Sequence, residues 1–115
     1  MAAEDIKRGG IYLVDLGADA NGQPKKRPVL VVQNDQGNRA GATTVVVSLT
    51  SLVPSQSFPF QVHLPAGVLG KAGVIHCEQI KTVSIDRVEP HAVAECPPDV
   101  MRQVDEALKL SLGLL

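Results

Sequence analysis

Short runs of β-branched residues, separated by clusters of Gly, Pro, Asn and Ser, follow one another from residue 10 to about residue 85 of this chain. Runs of this length and spacing predict a small barrel or sandwich of five or six antiparallel strands, and no helical period interrupts them. The predicted strands span residues 10 to 16, 28 to 34, 43 to 49, 60 to 64 and 73 to 85. The last of these is long enough to bend or to carry a bulge.

The period changes near the C-terminus, where apolar positions recur every three or four residues. Val100, Val104 and Ala107 carry this pattern, and Pro97 and Pro98 mark the start of the amphipathic helix that it predicts. The chain is therefore predicted to be mainly β with a C-terminal helix. A single helix of this kind must bury its apolar face against the sheet or against a second copy of the chain.

Size and charge restrict the classes of function. With 115 residues the chain is expected to form a single domain over residues 1 to 115. Eleven Lys and Arg against twelve Asp and Glu give a formal net charge of -1, so no overall positive field draws the protein to polyanions. Aromatic residues make up only 3%, which disfavours a stacking platform for single-stranded nucleic acid. Any contact with nucleic acid must be local.

Two cysteines, Cys77 and Cys96, have no partner histidines or cysteines at zinc-finger spacing, so neither a disulfide scaffold nor a metal site is expected. Cys96 directly precedes the predicted helix, whose N-terminus would lower the pKa of its thiol, but no neighbouring base supports a role as nucleophile. The first residues lack the basic patch and apolar stretch of a signal peptide. No membrane association and a cytoplasmic location are therefore expected.

The densest positive charge in the chain is the predicted loop formed by Lys25, Lys26 and Arg27. For Lys25 and Lys26 we expect a solvated loop or a loose attraction to phosphate. Arg27 differs because it abuts an apolar strand and because Pro28 fixes the backbone beside it, so its guanidinium is held at the rim of the core. A planar fork at such a place suits a phosphate oxygen.

Hydroxyl groups follow the next aliphatic strand, at Thr50 and Ser51. Hydroxyls at the end of a strand usually cap a turn. If the two aliphatic strands are antiparallel neighbours in one sheet, however, Arg27 at the start of one and Thr50 at the end of the other lie on the same edge. The pattern then brings a cation and a hydroxyl together.

Among the three histidines, His76 is the candidate acid or base, because Glu78 follows two residues later on the same face of a predicted strand. A packed or surface histidine is the alternative. Glu78 and Gln79 offer a carboxylate and an amide on opposite faces of that strand. Such groups read the edges of bases, although they are also typical of an exposed strand.

Five segments, taken in order, resemble the MazF/PemK family of bacterial toxin endoribonucleases. They are KRGGIYLVDLG near the start, KRPVLVVQND with Asn38 after it, TTVVVSLTS, EQIKTVSIDRV and the terminal VDEALKLSLGL. The match covers nearly the whole chain, and the order of its motifs is specific. It implies an SH3-like barrel of the CcdB/PemK toxin type, a homodimer, and a cognate antitoxin that occupies the RNA groove.

The resemblance implies sequence-specific, metal-independent cleavage of single-stranded mRNA in the bacterial cytoplasm, with no cofactor and with the adjacent 2′-hydroxyl as nucleophile. Carried over motif by motif, Arg27 and Thr50 are the catalytic pair, with Ser51 adjacent. Glu78 and Gln79 correspond to positions that line the RNA groove.

Two features depart from the family pattern. The loop before Arg27 contains NGQPKK, without the Glu that many members carry, and His76 stands where many members have an aliphatic residue. Because a guanidinium is essentially never deprotonated, Arg27 is not expected to be the general base. That role stays open between Thr50, His76, a water and a substrate group.

The sequence leaves two non-enzymatic alternatives on the same barrel. One is a toxin that binds gyrase through its terminal helix, and the other is a plain SH3-like binding module. Neither needs a phosphate-binding pair such as Arg27 and Thr50.

Overall fold

A computed structural model describes residues 6–18, 20–51 and 58–114 of the chain. The elements, in chain order, are β1 (Gly10–Ala18), β2 (Pro24–Val31), α1 (Asp35–Ala40), β3 (Thr43–Thr50), β4 (Gln61–Leu64), α2 (Ala66–Leu69), β5 (Gly73–Ser84), a 3₁₀ turn (Ile85–Arg87), β6 (Ala94–Glu95) and α3 (Pro98–Leu112). The six strands form one sheet in the order β4-β5-β3-β2-β1-β6, and every neighbouring pair is antiparallel. The predicted mainly β architecture with a C-terminal helix is confirmed.

Strand β2 begins four residues earlier than the sequence predicts and ends at Val31. The segment from Lys25 to Arg27 was expected to be a loop, but it pairs with β1, since Asp15 lies opposite Lys26. Pro28 therefore lies inside the strand. Pairing with β3 starts only at Val29, so Pro28, which lacks an N–H, lies outside the β2–β3 ladder.

Two short helices, α1 and α2, lie in the region where the sequence predicts none. Polar side chains stabilise α1. Its Asn34 cap accepts a hydrogen bond from the backbone N–H of Gly37 at 2.7 Å, and the buried Asn38 accepts one from the hydroxyl of Thr44 at 2.6 Å. The buried residue of this helix is an asparagine, so the helix leaves no apolar period in the sequence.

Helix α3 confirms the amphipathic pattern near the C-terminus. Val100, Val104 and Ala107 are buried, and they pack with apolar side chains of the sheet in the larger of two core clusters. Leu112, the last residue of the helix, is 58% exposed. No helix among the described residues is long and apolar enough to cross a membrane.

The ladder between β3 and β5 is interrupted near its middle. Val47 pairs with Ile80, whereas the next residue, Ser48, pairs with His76. Residues 77–79 of β5 therefore have no pairing partner on β3. This shift of register agrees with the expectation that the long strand bends or carries a bulge. Such an irregularity changes the direction of the side chains around it.

Candidate active site

The strand register brings Arg27 and Thr50 to the same edge of the sheet. Val29 pairs with Ser48, and continuing this antiparallel register by two residues places Arg27 opposite Thr50. Both side chains are exposed, and both line the same two depressions of the surface. The cation and the hydroxyl therefore share one site.

The first depression, which we call the apolar cavity, has a volume of about 320 Å³. Leucines 49, 64 and 69 contribute apolar walls, while Arg27, Thr50, Ser51 and Lys71 contribute polar groups. Mostly apolar walls with a few polar groups are typical of pockets that bind ligands.

The second depression, the basic groove, has a volume of about 280 Å³ and contains the side chains of Lys25, Arg27 and Lys81. Gln79 also lines it, and none of its described lining residues is acidic. Although the net charge of the chain is only -1, positive charge is thus concentrated in this groove beside Thr50. Arg27 and Thr50 lie where the groove meets the apolar cavity.

A chain of hydrogen bonds leads from Thr50 along β5. The Thr50 Oγ1 atom lies 3.0 Å from His76 Nε2, and His76 Nδ1 lies 3.3 Å from Glu78 Oε2. Gln61 of β4 donates to the same carboxylate oxygen from 3.5 Å. The pairing of His76 with Glu78 on one strand face therefore occurs in the structure, and it is joined to Thr50.

The remaining candidate residues lie in different surroundings. Ser51 lines the apolar cavity, whereas Lys25 and Gln79 line the basic groove. Lys26 lines neither: its Nζ atom lies 2.6 Å from Glu89 Oε1, and this hydrogen bond raises the pKa of Lys26.

Sequence reasoning missed Lys71, Lys81 and Gln61. Lys81 had a usable signal, because it follows Gln79 by two residues and therefore shares its strand face. Lys71 and Gln61 had none, since they reach the site only through the pairing of β4 with β5 and the turn between them.

The two cysteines are not activated. Burial raises the pKa of Cys77 to about 12 and that of Cys96 to about 11. The expectation that the start of α3 lowers the pKa of Cys96 is wrong, because desolvation outweighs the helix end and Asp99 adds a like charge. In the described part of the chain, no group of three or more His, Cys, Asp or Glu is arranged to hold a metal ion.

Comparison with known proteins gives consistent matches. Residues 7–112 match the family described as PemK-like, MazF-like toxin of type II toxin-antitoxin system. Endoribonuclease EndoA of Bacillus subtilis (strain 168) is 36% identical over 116 residues, covering 96% of this chain and 97% of that protein.

Two solved structures are similar in fold. An endoribonuclease in complex with its cognate antitoxin, from a mycobacterial species, superposes with a TM-score of 0.80 at 28% identity, covering 96% of this chain and 97% of that one. A MazE-MazF structure from Deinococcus radiodurans superposes with a TM-score of 0.77 at 27% identity, covering 94% and 96%.

Proposed function

The chain belongs to the PemK/MazF family and is an endoribonuclease toxin of a type II toxin-antitoxin system, and from this premise we propose that Arg27 and Thr50 are the pair that cleaves RNA. The gyrase-binding toxin and the SH3-like binding module are both non-enzymatic, so membership in a family of endoribonucleases argues against them. The observation that carries the proposal is that Arg27 and Thr50 both line the basic groove and the apolar cavity.

The proposed reaction uses the adjacent 2′-hydroxyl of the RNA as nucleophile, with no metal and no cofactor. The protein must then align this hydroxyl with phosphorus and stabilise the negative charge that develops on the phosphoryl oxygens. The guanidinium of Arg27 supplies a fixed positive fork for those oxygens. Thr50 lines the same two depressions as Arg27, so its hydroxyl contacts the reacting group of the RNA beside the guanidinium.

Single-stranded mRNA is the proposed substrate because the site offers separate places for phosphates and for an unstacked base. Lys25 and Lys81 in the basic groove attract the phosphates that flank the scissile linkage. Gln79 presents an amide there, which can read a base edge. The apolar cavity receives one base that is turned out of the strand, with Ser51 at its margin.

Lys26 and Glu78, also predicted to contact RNA, differ from these residues in having partners on the protein. Lys26 is paired with Glu89, and Glu78 with His76. Contact with RNA stays a prediction for both.

The proposed partners follow from the same surfaces. A cognate antitoxin with an acidic segment would compete with RNA for the basic groove. Leu110, Leu112 and Leu114 are 45, 58 and 69% exposed at the end of α3, and apolar surface of this kind supports a homodimer. We further propose that residues 1 to 115 act as one toxin domain in the bacterial cytoplasm, where mRNA is present.

Cleavage of a long RNA in the presence of EDTA tests the proposal. We expect discrete fragments with 5′-hydroxyl and 2′,3′-cyclic phosphate ends. Arg27→Ala should lower kcat by about a hundredfold or more, as should Thr50→Val if its hydroxyl is required. Arg39→Ala and Thr43→Val are matched controls, since both residues are exposed and lie outside the site. Full activity of folded Arg27→Ala and Thr50→Val proteins would refute the assignment.

A further inference from the structure

His76 is held in one orientation by groups on three strands. Its own strand, β5, places Glu78 at 3.3 Å from Nδ1, while β3 places the Thr50 hydroxyl at 3.0 Å from Nε2. The backbone of His76 is paired with Ser48 on one side and with Gln61 on the other. Only 12% of the His76 side chain is exposed, so water has little access to the ring.

One tautomer of a neutral His76 satisfies both of these contacts when Glu78 is ionised. An ionised carboxylate only accepts hydrogen bonds, so the Nδ1–H group of a neutral His76 donates to Glu78. Nε2 then carries a lone pair, which accepts a hydrogen bond from the Thr50 hydroxyl. The imidazole is therefore oriented with its basic nitrogen towards the site, and Glu78 stabilises the ring when it gains a proton.

On the premise that Arg27 and Thr50 are the catalytic pair, we propose that His76 is the terminal proton acceptor of the cleavage reaction and that Glu78 is its positioning residue. Arg27 cannot accept a proton at working pH, and the hydroxyl of Thr50 alone is too weak a base. His76, a residue with a suitable lone pair, lies within hydrogen-bond distance of Thr50. Thr50 passes the proton on.

The proposed step balances as follows. The 2′-hydroxyl gives its proton to Thr50 Oγ1 while the Thr50 hydroxyl proton moves to His76 Nε2. The 2′-oxygen forms a bond to phosphorus, and the bond from phosphorus to the 5′-oxygen breaks. The leaving oxygen takes a proton from a water molecule, the hydroxide that results takes the hydroxyl proton of Thr50, and His76 Nε2 returns its extra proton to Thr50 Oγ1. The products are a 2′,3′-cyclic phosphate and a 5′-hydroxyl, with the enzyme restored.

The decisive experiment separates proton transfer from hydrogen bonding at position 76. In His76→Gln, the side-chain amide is long enough to keep a hydrogen bond to Thr50, but it cannot take up a proton. We expect kcat to fall by about a hundredfold or more while KM changes by less than about threefold. His63→Gln makes the same change at an exposed histidine of β4 and should retain parental kcat.

Coupling with Thr50 provides a second measurement, and Glu78→Gln provides a third that leaves positions 50 and 76 unchanged. Because the two residues act in one relay, the double variant Thr50→Val with His76→Gln should be no slower than Thr50→Val alone. Glu78→Gln should lower kcat less than His76→Gln, since it removes the orientation of the ring and leaves the base.

The outcomes distinguish this inference from the assignment on which it rests. Parental kcat in folded His76→Gln, or losses that multiply in the double variant, would overturn the role of His76 while a slow Arg27→Ala still supports the catalytic pair. Parental activity of Arg27→Ala and Thr50→Val would instead remove the premise.

Discussion

Gly73 lies against the main chain of Thr50, so that a Cβ atom at position 73 would stand 2.6 Å from the Thr50 carbonyl oxygen. The atom it would meet is backbone, so Gly73→Ala must push β5 away from β3 at the site. We expect kcat to fall by about tenfold or more, because displacements of about 1 Å at an active site have effects of that size or larger. Steady-state cleavage of a fluorogenic RNA measures the change.

Gly67→Ala is the matched control for this substitution. Gly67 lies in α2, and a Cβ atom there would meet no heavy atom within 4 Å. It should leave kcat and the melting temperature near the parental values. Equal rates for both variants would show that the close approach of Gly73 does not set the geometry of the site.

Replacing Arg27 by lysine separates charge from shape. Arg27→Lys keeps the positive charge, but an ammonium group lacks the planar pair of donors that fits two phosphate oxygens. We expect kcat to remain at least about tenfold below parental, with a smaller change in KM. Single-turnover kinetics at saturating protein isolates this effect. A variant as fast as the parent would mean that a point charge suffices.

The basic groove predicts a change in salt dependence. Each phosphate contact contributes a slope of about 0.7 to the dependence of log affinity on log salt for a single strand. Lys25→Ala and Lys81→Ala should each reduce the slope by about that amount. Binding of a non-cleavable 2′-deoxy-substituted RNA, measured by anisotropy at several salt concentrations, gives the slopes.

Lys26→Ala is informative beside these variants, because Lys26 is the neighbour of Lys25 on β2 but is paired with Glu89. If Lys26 stays paired with Glu89 in the complex with RNA, the salt slope of Lys26→Ala should stay near that of the parent. A reduction equal to that of Lys25→Ala would show that Lys26 leaves Glu89 to contact RNA.

The buried thiols predict how stability depends on pH. Burial raises the pKa of Cys77 to about 12 and that of Cys96 to about 11, from an ordinary value of 9.0. Between pH 9 and these values the unfolded chain releases thiol protons that the folded chain keeps. This stabilising effect is therefore full below pH 9 and is lost as the pH rises, at up to about 1.4 kcal/mol per pH unit for each thiol.

Urea unfolding between pH 8 and about pH 10.5 tests this for the parent and for a variant with Cys77→Ala and Cys96→Ala. Other groups also titrate in this range, so the difference between the two proteins is the quantity of interest. The parent should lose free energy of unfolding more steeply than the variant. Parallel curves would contradict the raised pKa values.

Strands β1 to β5 and α3 were predictable because their signal is local, whereas the two-residue strand β6 was not predicted. Runs such as residues 29 to 32 and 43 to 49 alternate or stay apolar along a few residues, and Val100, Val104 and Ala107 repeat at helical spacing. Helix α1 was not predictable in this way, since its buried residue is Asn38. The strand position of Lys25 was missed because β1 continues to pair beyond the apolar residues of β2.

The site was only partly predictable. Antiparallel pairing of two successive strands was enough to expect Arg27 near Thr50. The contact between Thr50 and His76 depends on the interruption at residues 77–79, and no propensity of single residues gives its position or length. Lys71 reaches the apolar cavity from a turn, so its place followed from tertiary packing alone.

The irregular stretch at residues 77–79 has a consequence for how this toxin can be silenced by mutation. The half of β5 beyond it, from Ile80 to Ser84, is aligned with β3 independently of the half that holds His76. Side chains alternate between faces of a strand, so loss or gain of one residue at the interruption would turn His76 to the opposite face while the far half keeps its partners. Ile75, fully buried next to His76, would turn with it, so a single-codon insertion or deletion there would remove the nuclease activity together with part of the core that keeps the protein folded.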